Sequence, residues 1–391
     1  MRTTPGVAIA LALLLAGCAA PTPNTRWTAG SPSGAASDPA SPSAAASPSA
    51  SPSPSAAPAA PPLPRAGNPN GHATVPAEAQ AVDTSHPTRV VGTGSAASCT
   101  SDAVVSAVAA GGIITFNCGT APVTITMSAT AKVRNNVAKV VLDGGGRVTL
   151  SGGGQRRILY LDTCDPADGP RTSHCQDQET PQLVVQNLTF ADGNSTGQLQ
   201  EGGGGGAIFD RGGRLKVVNS RFVRNRCDPT GPDLGGAAIR ALSQSHNLPV
   251  YIVASTFGGA SGQGGVCSNG GALSSIQVSW VVLNCVMSYN NAIGHGANPA
   301  RGGTPGGGSG GAIYNDGDNF TLRIAGTLIE NNHANEGGGA VFYVSNDRTG
   351  TMGIDGSTLR HNRSVGFETD GFPGIFFLGA HNPTVTGSTL Q

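Results

Sequence analysis

Five residues recur at one offset along this chain. The third position past the alanine of each Gly-Gly-Ala triplet is Asp210, Arg240, Ser275, Asn315 and Tyr343. Such a row suits a sugar chain: carboxylates and amides accept or bridge hydroxyls, and Arg240 would grip a uronate carboxylate at two points. Asp210, with Asp316 or Asp318 as a second carboxylate, would supply acid–base cleavage if the two groups lie about 5 to 9.5 Å apart. Arg240 acting as a base would instead remove the proton α to a uronate carboxylate, with acidic residues holding Ca²⁺. The plainer reading is structural: Asp210 and Arg240 in neighbouring turns of chain would pair with each other.

Other chemistry is thinner. Asn315-Asp316-Gly317-Asp318-Asn319 lacks the twelve-residue calcium loop and its closing glutamate, so a polar turn is the better reading. Gly306-Gly307-Gly308 carries no Gly-Lys-Ser/Thr, which excludes a phosphate loop, and no Gly-x-Ser-x-Gly elbow stands out. His333 with Glu330 and Glu336, and His361 with Arg360 and Arg363, make a polar edge and a lesser binding surface; His295 stands apart from them. No C-x₂-C or H-x₃-H spacing points to a metal, so none is expected, Ca²⁺ entering only with lyase chemistry. Lysine and arginine total 23 against 23 acidic residues, leaving no electrostatic footprint for nucleic acid.

These candidates need a scaffold, and the repeats describe one. An alternating apolar strand, a small or amide residue and a large apolar anchor recur, ending at Phe190, Phe222, Phe257, Met287, Leu328, Leu359 and Leu390. Asparagines lie three beyond several anchors, at Asn225, Asn290, Asn331 and Asn362, and others (Asn187, Asn219, Asn284) sit at the bend after a strand. The Gly-Gly-Ala triplets fall between anchors: the distance from glycine to the next anchor is nearly constant, while the other side of each repeat carries the insertions. A period near 30 residues with two short strands is the signature of a solenoid whose coils stack about 4.8 Å apart. Stacked amides would then bond along the axis. Helical and collagen alternatives fail, since glycine breaks any 3.6 period and no strict third-residue glycine exists.

Gly205-Gly206-Ala207-Ile208 alternating with Phe222-Val223-Arg224-Asn225 resembles the repeat pair of polymorphic outer-membrane proteins. More broadly the chain is similar to the right-handed parallel β-helix proteins of the pectate-lyase-like superfamily. The segment from Cys99 through Asp102-Ala103-Val104-Val105 to Ile113-Ile114-Thr115-Phe116 reads as a helix capped by Ser101 or Asp102, closing the first coil as in many such proteins. The resemblance implies an all-β, right-handed parallel β-helix solenoid with an N-terminal capping helix over 95–391, preceded by an irregular lead-in over 67–94.

Upstream, Arg2 and the apolar run Val7 to Ala16 end in Leu15-Ala16-Gly17-Cys18, which resembles the lipobox of bacterial lipoproteins. That resemblance implies a signal peptide over 1–17, a lipid on Cys18, membrane anchoring, and, with Ala19-Ala20 following, the outer membrane or cell surface. Residues 18–66 carry an Ala/Ser/Pro-rich stretch that cannot bury enough apolar surface to fold and reads as an extended tether. Export permits disulfides. Cys99 and Cys118 flank the cap helix, Cys164 and Cys175 bracket a polar loop, and Cys227 and Cys267 follow anchors in neighbouring coils; Cys285 is left free, inward or at a bend. The functional expectation is a lipid-anchored surface module contacting polysaccharide or a surface glycan, in the manner of an adhesin. The alternatives are a polysaccharide lyase or glycoside hydrolase, and a structural envelope protein.

Overall fold

The computed structural model describes residues 65–199 and 202–391. The segment read as a signal peptide, Cys18 and nearly all of the stretch read as a tether lie outside them. Among the described residues the chain is a parallel β-helix: strands pair in parallel into sheets of seventeen, eight and four strands. No helix there is long and apolar enough to cross a membrane. The α-helix α1 (Ser101–Ala110) sits at the start, buries Val104, Ala107 and Val108, and ends at Gly111, whose φ of 70° a side chain would resist. Its cap is Thr100, which accepts from the Ala103 amide, rather than Ser101 or Asp102. The solenoid also begins earlier than the repeats suggest: Arg89–Val91, within the segment read as irregular, is a strand paired with Gly112–Phe116.

Like sits over like because each coil repeats the same turns. Phe190, Phe222 and Phe257 stack face to face, with ring centroids 5.1 and 4.6 Å apart. Met287, Ile329, Leu359 and Leu390 continue that row in register, so Ile329 and not Leu328 is the anchor of its coil. Each such side chain contributes about 1.5–3 kcal/mol by leaving water, which no single coil could achieve alone.

Polar ladders close the bends. Asn219 donates to Asn187 at 2.6 Å and Asn187 to Asp143 at 2.9 Å, all at the predicted corner. Both asparagines hold positive φ, 46° and 53°, a conformation their short amides tolerate. Asn290 donates to Asn332 and Asn332 to Asn362, at 2.9 and 2.8 Å, so this second ladder uses Asn332 where the spacing suggested Asn331. A third, unforeseen row runs Ser220, Ser255, Cys285, Thr327, Ser357 and Ser388. Each of the last five side chains accepts from the backbone amide of the ladder residue one coil earlier, Cys285 Sγ from Ser255 at 3.5 Å. Cys285 is thus an inward member of a hydroxyl row, and burial pushes its thiol up to about 12.

The other six cysteines of the described residues form Cys99–Cys118, Cys164–Cys175 and Cys227–Cys267, the pairs expected from position. Residues 67–84 form a strap along the outside of the largest sheet, running from the later coils back to the first. Asn284 bonds both backbone groups of Ala73, Gln186 both those of Val82, and Thr84 donates to Asp143. Ala73, Val75 and Ala79 cover Val218, Val253, Leu283 and Ala325 beneath it.

Candidate functional site

The eight-stranded sheet carries the residues singled out from the sequence, and its register decides their roles. Ile208, Ile239, Leu273, Ile313 and Val341 form one row, all in the core. Because strand side chains alternate, the next position faces outward and the one after faces in. Asp210, Ser275, Asn315 and Tyr343 therefore point into the solenoid, in one row with Ala241. Arg240 does not belong to that row. The triplet Gly235-Gly236-Ala237 is followed by a second alanine, and it is Ala238 that aligns with Ala272; one extra residue turns Arg240 to the outer face beside Phe209 and Ser274. Asp210 and Arg240 neither stack nor pair, and the single column of five is corrected to two faces.

The inward members are core groups, each polar one hydrogen-bonded within the solenoid, though Asp210 Oδ1 and Asn315 Oδ1 have no partner. Asn315 donates to Ser275 at 2.7 Å, Trp280 donates its indole N–H to the same hydroxyl at 2.9 Å, and Tyr343 donates to the Phe320 carbonyl at 2.6 Å. Asp210 is fully buried, accepts from Gln244, and is pushed well above the ordinary aspartate range by that burial. It reaches no solvent.

Outside, a cavity of about 430 Å³ opens over the sheet, with Arg211, Asp233, Arg240, Asp316 and Asn346 among its lining. Two insertions, 228–236 and 294–309, wall this side. Asn298 at the tip of the second joins its parts: its amide donates to Asp233 Oδ1 at 2.8 Å, to the Tyr314 hydroxyl at 2.9 Å and to Asp316 Oδ2 at 3.0 Å. Sharing one amide nitrogen keeps the two carboxylate oxygens no more than about 6 Å apart. Burial raises the Asp316 carboxyl above its ordinary value, and nearby Asp233 adds to the rise against hydrogen bonds from Tyr314, Gly317 and Asn346. Arg240 is buried beneath, donates to Ser274 at 2.5 Å and to the Asp233 carbonyl at 2.6 Å, and burial lowers it to about 10.

The second insertion is held by Glu336, whose carboxylate accepts both Arg301 guanidinium nitrogens at 2.6 and 2.9 Å and the Gly296 amide at 2.8 Å, with His295 Nδ1 at 3.2 Å. The polar edge read from sequence is thereby divided. Glu336 is a buried clasp, Arg360 pairs with Glu330 at 2.7 Å, and His333 bonds Asn335 at 3.0 Å.

Calcium does not fit here. Asn315 is turned into the core, and both Asp316 oxygens already accept from protein donors. Among the described residues no three His, Cys, Asp or Glu side chains converge. Sequence reasoning found Arg240 and Asp316 but missed Asp233, Asn298 and Arg211. The one signal pointing to the first two was the variable length of the repeat on the side where their loops lie. Fold and cleft together describe a parallel β-helix with a polar, loop-walled cleft on one sheet; comparison with family models, curated proteins and solved structures finds no match to this chain.

Proposed function

We propose that the chain is a lipid-anchored surface β-helix that binds polysaccharide in the cleft over its eight-stranded sheet. The observation that carries this is the cavity lined by Asp233, Asp316, Arg211 and Asn346 over a buried Arg240, with Asn298 joining Asp233 to Asp316. Carboxylate acceptors, an amide and a guanidinium facing one opening are the groups that bridge sugar hydroxyls. The Gly-Gly-Ala-Ile and Phe-Val-Arg-Asn repeats support kinship with the polymorphic outer-membrane and pectate-lyase-like right-handed β-helices, and Leu15 to Cys18 supports a lipid anchor at the outer membrane or cell surface. The test is binding of the purified chain to a glycan array, then calorimetry on the hits. Asp316→Asn and Asn298→Ala are expected to weaken binding about tenfold each while leaving the fold intact. Full retention of affinity in both variants would move the site elsewhere. Palmitate labelling lost in Cys18→Ser tests the anchor.

Hydrolysis is the second reading, favoured by the raised Asp316 carboxyl next to Asp233. One acid kept protonated and one ionised is the pairing that cleaves glycosidic bonds. Release of reducing ends from a bound glycan, abolished by Asp316→Asn, would establish it.

A further inference from the structure

A second opening lies where the strap crosses the largest sheet, on another wall of the solenoid. It is a small cavity of about 190 Å³ lined by Lys139, Gln182, Arg214, Lys216, Tyr251 and Glu78 together with apolar side chains. Register builds it. Lys139, Gln182 and Arg214 occupy one outward row in successive coils, and Lys216 stands two residues along the strand from Arg214. Two of the chain's three lysines and an arginine thus face one hollow. Their neighbours do not neutralise them. Lys216 donates to the carbonyls of Glu78 and Gln80 at 3.0 and 2.7 Å, and the Glu78 carboxylate is bonded by the Tyr251 hydroxyl at 3.1 Å. Arg214 lines the hollow, and its Nε is buried with no acceptor in the protein.

We propose that this hollow is an anion site for one doubly charged oxyanion group, a phosphate or sulfate. Three cations against one carboxylate leave two positive charges to be matched. The volume is below the several hundred Å³ of a whole-ligand pocket and suits a compact group. Arg214 offers its guanidinium fork, Lys139 an ammonium, and Gln182 an amide donor between them. The strap closes one side, so the bound group would also tie residues 78–82 to the sheet. This site is separate from the saccharide cleft, and neither proposal depends on the other.

The test is thermal unfolding of the full chain with sodium phosphate, sodium sulfate or glycerol phosphate, each against sodium chloride at matched ionic strength, followed by calorimetry. A rise in Tm beyond chloride is expected, with affinity falling about ten- to a hundredfold in Arg214→Gln and in Lys139→Gln. Arg323→Gln removes an exposed charge from the same sheet, outside this lining, and should leave the response unchanged. A response to the ester as well as the free ions assigns the site to a phosphate or sulfate carried on a larger molecule; a response to free ions alone assigns it to those ions. No shift beyond chloride, or the same shift in Lys139→Gln as in the native chain, overturns the proposal even if Arg214→Gln folds poorly.

Discussion

Replacing Asp210 by asparagine distinguishes a core acid from a catalytic one. Its carboxyl is completely buried, Gln244 bonds one oxygen, and the other has no partner. Burial outweighs the amide's help and holds the proton far above the ordinary value of 3.8, with Asp162 pushing the same way. The folded chain therefore binds a proton that the unfolded chain has released. Stability contributed by that proton is complete below the unfolded pKa and is lost as pH rises toward the folded one, at about 1.4 kcal/mol per pH unit. Asparagine keeps the shape, exchanges one unpaired polar atom for another and does not titrate. As pH rises above the ordinary aspartate value of 3.8, the native chain should progressively lose stability relative to Asp210→Asn. Urea unfolding of both proteins at three pH values, followed by circular dichroism, measures the difference directly. A stability gap that does not change with pH would refute the reasoning, and so would a loss of glycan binding in the variant.

The remaining expectations concern the ladders and the clasp. Asn219→Ala loses an axial amide bond and forces alanine to φ near 46°, which should cost about 2–3 kcal/mol in urea unfolding, and Asn219→Gly should recover part of it. Cys285→Ser should be tolerated better than Cys285→Val, since only the hydroxyl can accept the Ser255 amide; the native thiol should resist alkylation at pH 8 until the chain is unfolded, as mapped by peptide mass spectrometry. Burial works against the Glu336 carboxylate, but Arg301 and Gly296 outweigh it and hold its pKa low, so its contribution is present above the ordinary glutamate value of 4.5 and is lost on acidification through the lower folded pKa. Cleavage by trypsin after Arg301 should accordingly be slow at pH 7, and Glu336→Gln should speed it severalfold and weaken glycan binding through Asn298.

The solenoid was legible because each coil repeats local requirements: an anchor for the core, an amide at the bend, glycine where φ is positive. Errors of one residue, Ile329 for Leu328 and Asn332 for Asn331, left that architecture standing, since neighbours above and below restore the row. The same size of error was decisive at the site. In a strand, one inserted residue, Ala238 in place of Ala237, exchanges the two faces, so Arg240 parts from Asp210, and a supposed catalytic acid proves to be a buried core group. Sequence by itself determined the period and the stacking, because those follow from residue types recurring at near-constant distance; it suggested the three cysteine pairs by position, and the fold fixed them. Tertiary structure alone decided which face each side chain takes and which loops meet: Asn298 reaches Asp233 across 65 residues of chain, and Glu78 reaches Tyr251 across 173. Such contacts come from coils stacked in space and insertions folded over them, and no local pattern of residues encodes that juxtaposition.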